Sequence, residues 1–134
     1  MGVKLDQFVY MDVVKNVYHP DMEMMLGGKY VFMQDGAPAH TAKSVIKWFK
    51  DNKVPLLDWP ASSPDLNPLD YAIWGILEKA VSDQQPKTEV ELKCSIRKAV
   101  SQLPLSVIKK TVAQFEDRLK LCVENGGKQF EYKM

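Results

Sequence analysis

Cysteine is scarce. Cys94 and Cys122 are the only two in 134 residues, and their separation excludes a Cys-x-x-Cys site. Each falls within a helical pattern, so both thiols are expected as small buried apolar groups of a reducing compartment. Long apolar runs are missing too, and no stretch approaches the roughly 20 residues of a membrane-spanning helix. Met1-Gly2-Val3-Lys4-Leu5-Asp6 holds no apolar leader core, and Asp6 stands where a myristoylation signal needs Ser or Thr. Neither secretion nor a membrane partner is expected. Charge of one sign is also absent. The 18 Lys and Arg against 17 Asp and Glu, net +1, exclude nucleic-acid binding through bulk charge, so any such contact must be local. What is present, 46% hydrophobic and 26% charged residues, is the composition of a single folded domain with one core.

Phe8, Val9, Met11, Val13, Val14 and Val17 recur at helical spacings over residues 6 to 18 and stop at His19-Pro20. A second short helix is expected with Pro20 at its first helical position and an end at Gly27-Gly28. Residues 29 to 34, Lys-Tyr-Val-Phe-Met-Gln, predict a short buried strand running into Asp35-Gly36. Residues 54 to 57 predict a weaker strand, which Pro55 places at an edge or makes begin at the proline. Between them Ala42, Ile46 and Phe49 predict an amphipathic helix over residues 41 to 52, with Lys43, Lys47 and Lys50 on another face. Pro60, Pro64 and Pro68 make residues 59 to 68 a stiff irregular loop.

Asn67 as cap, Pro68 at the first helical position and Asp70 in the first turn then start a helix through Trp74, Leu77 and Val81. Thr88-Glu89-Val90-Glu91 has the form of a capping box for a helix bearing Leu92, Ile96, Ala99, Val100 and Leu103. Ser106 is the expected cap of a last helix, whose stripe is Ile108, Val112, Phe115, Leu119 and Cys122. Trp59 and Trp74 are expected in the core.

Two carboxylates stand out by context: Asp35 at the end of a strand and Asp70 at a helix start behind a rigid loop. Open α/β sheets place their ligands at such edges. Paired carboxylates suit Mg²⁺, which takes oxygen ligands and is often shared with substrate phosphates. Two such ions roughly 3.5–4 Å apart can activate water and stabilise the leaving oxygen in phosphodiester cleavage. Each residue also has a purely structural alternative, Asp35-Gly36 as a turn and Asp70 as a favourable charge at a helix N-terminus.

The phrases around both acids, Gln34-Asp35-Gly36-Ala37-Pro38-Ala39-His40-Thr41 and Trp59-Pro60 followed by Ser63-Pro64-Asp65-Leu66-Asn67-Pro68-Leu69-Asp70-Tyr71, resemble the catalytic-core motifs of mariner-type transposases of the DDE/D superfamily. Trp74-Gly75-Ile76-Leu77-Glu78 and Gly126-Gly127-Lys128-Gln129-Phe130-Glu131 look like that family's later helix and tail. The resemblance covers essentially the whole chain. It implies an α/β, RNase H-like fold and three acidic metal ligands, with Asp35 matching the second and Asp70 the third. The 34 residues between them fit the mariner branch, whose third acid is aspartate.

The implied activity is Mg²⁺- or Mn²⁺-dependent DNA strand cleavage and transfer in transposition. The implied partners are transposon-end DNA and a second copy or full-length transposase, and the implied location is the nucleus. His40 is implied beside the site, orienting its loop or touching a phosphate. Lys43, Lys47 and Lys50 are candidates to track a DNA backbone, or else form a solvated face.

In that family the first acid lies on a β-hairpin strand ahead of the segment resembling residues 3 to 26. Asp6, Asp12 and Asp21 lie in helical or pre-helical patterns and do not replace it. The expectation is therefore a single partial catalytic domain over residues 1–134, truncated at its N-terminus and helix-rich in its C-terminal half. It would lack the first antiparallel strands, bind metal weakly and be inactive alone. The alternative is a non-catalytic DNA-binding or protein-interaction remnant of a transposable element.

Overall fold

The computed structural model describes residues 5–131. Residues 1–4, part of the segment expected to hold neither a leader nor a lipid anchor, and residues 132–134 lie outside them. The chain forms two compact units, residues 1–62 and 63–134. Among the described residues no helix is long and apolar enough to cross a membrane.

In the first unit α1 (Gln7–Val13) is capped by Asp6, whose carboxylate accepts from the amides of Phe8 at 2.8 Å and Val9 at 3.0 Å. The expected stop at His19-Pro20 does not occur. A π turn (Val14–Tyr18) carries the coil directly into α2 (His19–Leu26), with Pro20 at its start. Proline inside an α-helix loses a bond and clashes with the carbonyl four residues back, and the wider coil of a π turn just ahead of Pro20 relieves that clash. The helix ends where Gly27 takes the left-handed conformation (φ 58°), and its amide bonds back to the Glu23 carbonyl at 2.9 Å.

The strand expected over residues 29–34 shrinks to a single parallel bridge between Phe32 and Leu56. Two backbone bonds of 2.8 Å make it, Phe32 N–H to the Pro55 carbonyl and Leu57 N–H to the Phe32 carbonyl. Pro55 has no amide to extend the ladder, and among the described residues no strand flanks the segment's other side. Val31 is correspondingly 59% exposed rather than buried.

After Ala42, α3 (Lys43–Asp51) follows, two residues later than expected. Its buried residues are Val45 and Phe49, while Ile46 is exposed. The core joins these to Tyr10, Val14 and Val54, with Phe32 and Trp48 packed on it. The ring centroids of Phe32 and Trp48 lie 5.0 and 5.3 Å from that of Phe49. Burying the Phe49 ring contributes roughly 2–3 kcal/mol by transfer alone.

In the second unit the proline-rich loop is not wholly irregular, because Pro64–Leu66 forms a 3₁₀ turn. Asn67 accepts from the Leu69 amide at 3.1 Å, and the helix then opens as a π turn (Leu69–Ile73) before settling into α4 (Trp74–Ser82). The Thr88/Glu91 capping box is formed and starts α5 (Glu89–Gln102). The last helix, α6 (Leu105–Glu124), begins behind Pro104 with no side-chain cap, so Ser106 does not cap it.

The α6 stripe is rotated from its expected setting by about one residue, or about 100°. Thr111 and Arg118 are buried, whereas Ile108, Val112 and Leu119 are exposed. That inner face meets the 3₁₀ and π turns, whose carbonyls and Tyr71 ring suit polar partners, and this outweighs the apolar periodicity. On α5 Ala99 is buried but Leu92, Ile96 and Val100 are exposed. They line an apolar groove of about 530 Å³ with Trp74, Leu77 and Val81 of α4. Trp74, expected in the core, is thus 53% exposed, and Trp59 is half-buried. Cys94 is exposed and Cys122 half-buried, so neither is the fully buried thiol expected.

Candidate active site

Asp35 follows the bridged segment, three residues past Phe32. Its Oδ1 accepts from the Ala37 amide at 3.0 Å and lies 2.5 Å from His40 Nδ1. The Ala37 amide bond foremost, then the hydrogen bond and charge of His40, outweigh partial desolvation and hold this carboxyl below its ordinary value of 3.8. Asp35 therefore stays ionised to lower pH than an ordinary aspartate. A turn in which the His40 amide bonds the Ala37 carbonyl at 2.9 Å brings the imidazole back over it.

Two residues that the sequence did not single out support this pair. Gln34 donates from Nε2 to the His40 carbonyl at 3.0 Å, and its Oε1 accepts from the Tyr10 hydroxyl at 2.9 Å. The Tyr10 ring centroid is 4.0 Å from that of His40. Burial, and secondarily the charges of Tyr18 and Asp35, push the Tyr10 phenol up to about 12. Gln34 lies inside the motif and was visible in principle, whereas Tyr10 is one more aromatic on a helix and carries no such signal.

Asp35 opens onto a cleft of about 290 Å³, which Thr41, Asp58 and Trp59 also line. Asp58 stands two residues past Leu56 as Asp35 stands three past Phe32, so the parallel bridge sets both carboxylates at the same end of their segments. Lys43, Lys47 and Lys50 lie exposed along α3. Lys47 pairs with Asp51 at 2.6 Å across one helical turn.

In the second unit Asp70 is exposed near the start of the π turn, and its Oδ2 accepts from Asn67 Nδ2 at 2.8 Å. Asn67 thus caps the turn, as expected, and also tethers the carboxylate. Around this segment α6 supplies Arg118 and Thr111, which the sequence reading passed over because a buried arginine leaves no mark on an apolar stripe.

Among the described residues no group of three or more His, Cys, Asp or Glu is placed to hold a metal. Singly, the donors fit a hard divalent cation. Asp35 and Asp70 offer carboxylate oxygens of the kind such a cation takes, each tethered by a neighbour through one oxygen.

An exposed acid just past a bridged segment and a second acid behind a rigid proline turn thus occupy the two motifs set out above. Residues 7–93 match the model of the DDE superfamily endonuclease family, and the chain belongs to that family. It is homologous to Tc1/mariner transposases. It is 30% identical over 128 residues to the transposable element Tcb1 transposase of Caenorhabditis briggsae, covering 96% of this chain and 46% of that protein. It is 40% identical over 103 residues to the Tc3 transposase of Caenorhabditis elegans, covering 75% of this chain and 31% of that one.

The fold matches the Mos1 transposase catalytic domain solved with Raltegravir and Mg, at a TM-score of 0.87 and 22% identity, over 97% of this chain and 67% of that one. It also matches the Mos1 mariner paired-end complex with Mn, at 0.87 and 23%, over 97% and 39%. The RNase H-like class expected from the motifs is therefore the fold of this chain, helix-rich and, among the described residues, with its strand pairing reduced to the one bridge. The chain spans about half the length of the Tcb1 transposase it matches.

Proposed function

We propose that this chain carries part of the active site of a mariner-type transposase, a Mg²⁺- or Mn²⁺-dependent enzyme that cuts and joins DNA at transposon ends. The observation that carries the reading is the Asp35 arrangement. An exposed carboxylate is kept ionised by an amide and a histidine at the end of a bridged segment, within a motif of the family the chain belongs to.

Asp35 and Asp70 each supply a ligand oxygen. The cation, when bound, contributes Lewis-acid charge at the scissile phosphodiester. In cleavage a water oxygen bonds to phosphorus, the ester P–O bond breaks and the leaving oxygen takes the proton. In joining a DNA 3′-hydroxyl replaces the water. His40 holds Asp35 in place through Oδ1, Asn67 does the same for Asp70 through Oδ2, and Lys43, Lys47 and Lys50 line DNA phosphates. The Mos1 structures with Mg and in a paired-end complex with Mn support the cation, the DNA ends and a second copy as partners, and action on chromosomal DNA implies a nuclear location.

Calorimetric titration of Mn²⁺ into the wild type, Asp35→Asn and Asp70→Asn tests the ligand assignment. Either substitution is expected to remove most of the binding, and equal affinity in all three overturns the assignment. No metal-dependent nicking of labelled transposon-end DNA is expected from this chain alone, and nicking that disappears in Asp35→Asn would overturn that expectation.

A further inference from the structure

Arg118 is the buried cation of α6, only 9% exposed, and a guanidinium is rarely withdrawn from water without a task. Its Nη1 donates to the backbone carbonyl of Asp65 at 2.8 Å and to Glu131 Oε1 at 3.1 Å. Its Cζ sits 3.8 Å above the centre of the Tyr71 ring. Its Nε has no hydrogen-bond partner among the described residues, so the group is seated for the ring and the carbonyl rather than for its own full solvation.

Seven residues earlier on the same face of α6, the Thr111 carbonyl accepts from the Tyr71 hydroxyl at 2.6 Å. One helix face thus grips the segment from Asp65 to Tyr71 at both ends. Between those grips lie Asn67 and Asp70, and the segment passes into the π turn of Leu69–Ile73. A π turn is a rare, locally unfavourable winding that persists where surrounding structure enforces it. Winding also decides where a side chain points, because relaxation to an α turn would swing Asp70 around the helix axis.

We propose that Arg118 is a positioning residue for Asp70: through the Asp65 carbonyl and the Tyr71 ring it holds the turn that aims this carboxylate. The inference rests on reading Asp70 as a metal ligand, and it adds a residue outside both acidic motifs, 48 positions further along the chain. Arginine suits the task because its flat, forked head can stack and donate at once, which lysine cannot do.

The test uses the whole chain, well below its melting temperature, and compares wild type with Arg118→Lys, Tyr71→Leu, Asp70→Asn and a merely destabilised control, Thr88→Ala. Mn²⁺ affinity is read by calorimetry, and amide hydrogen exchange reads the protection of residues 69–73. Arg118→Lys and Tyr71→Leu are expected to weaken Mn²⁺ by about 10-fold or more, as loss of an outer partner of a metal ligand does, and to speed exchange in the turn. Thr88→Ala is expected to lower the melting temperature with Mn²⁺ affinity intact, the result that separates aim from stability. Affinity lost in Asp70→Asn but kept in Arg118→Lys and Tyr71→Leu overturns the positioning role alone. Affinity unchanged in Asp70→Asn overturns the ligand reading on which it rests.

Discussion

The imidazole of His40 stands between Asp35 and Tyr10, its Nδ1 2.5 Å from Asp35 Oδ1 and its ring centroid 4.0 Å from that of Tyr10. Replacing it by leucine is expected to raise the Asp35 pKa toward its ordinary 3.8, yet leave it lower, because the larger Ala37 amide effect remains. Carboxyl ¹³C shifts followed against pH measure this. A depressed carboxyl stabilises the fold above its unfolded value, and that contribution is lost as pH falls through the folded value. The His40→Leu variant should therefore be less stable than wild type above about pH 4, with this difference shrinking as pH falls through the folded Asp35 value, and an unchanged Asp35 titration would sink the pairing.

Tyr10 carries the opposite sign. Its folded pKa is raised from 10.0 to about 12, so the stabilisation is complete below pH 10 and lost as pH rises from 10 to 12. Two units correspond to about 2–3 kcal/mol as an order of magnitude. Denaturant melts at pH 9 and pH 11.5 should show a steeper alkaline loss for wild type than for Tyr10→Phe. Identical slopes would mean that Tyr10 ionises without unfolding cost.

Much of the first unit was legible because its signals are local. Gly27 and the helical spacing within α1 and α3 act over one turn, and Asp35 and His40, brought together in the structure, stand in one short motif. The strand over residues 29–34 was misjudged because a strand needs neighbours as well as β-branched residues, and its described neighbour begins with Pro55. In the second unit the Thr88/Glu91 box was readable. The α6 face was not, since Arg118 and Thr111 earn burial from partners in residues 65–71, distant in sequence. Apolar periodicity reports what a helix offers, and the facing surface decides what is taken up.

The α3 lysines offer a test of DNA contact. Lys47 is partly engaged by Asp51, leaving Lys43 and Lys50 as the better phosphate partners. Alanine at both is expected to lower the slope of log K against log salt by about one per lysine on a short duplex, alike for all sequences. A slope that does not move makes the face a solvated one.

Packing and capping should separate cleanly in magnitude. Phe49→Ala, in the core of the first unit, is expected to cost about 3–5 kcal/mol, and Thr88→Ala, which removes the accepting half of a capping box, about 1 kcal/mol. Urea melts monitored by tryptophan fluorescence and circular dichroism measure both. A Phe49→Ala loss under 1 kcal/mol would place that ring outside the core.

The π turns make the two helical runs unequally tolerant of length change. A five-residue hydrogen-bonded loop holds one residue more than an α turn, so each π turn stores a spare residue within its helix. Deleting Asn16 from Val14–Tyr18 lets the coil close to α-helix with the residues on either side keeping their faces, so the fold should absorb it. The same deletion within α5 turns everything after it by about 100° and misplaces Ala99. In Leu69–Ile73 the spare residue can also be given up, but there the register of the helix would be kept while Asp70 loses its direction. The chain would lose its chemistry at that position before it lost its shape.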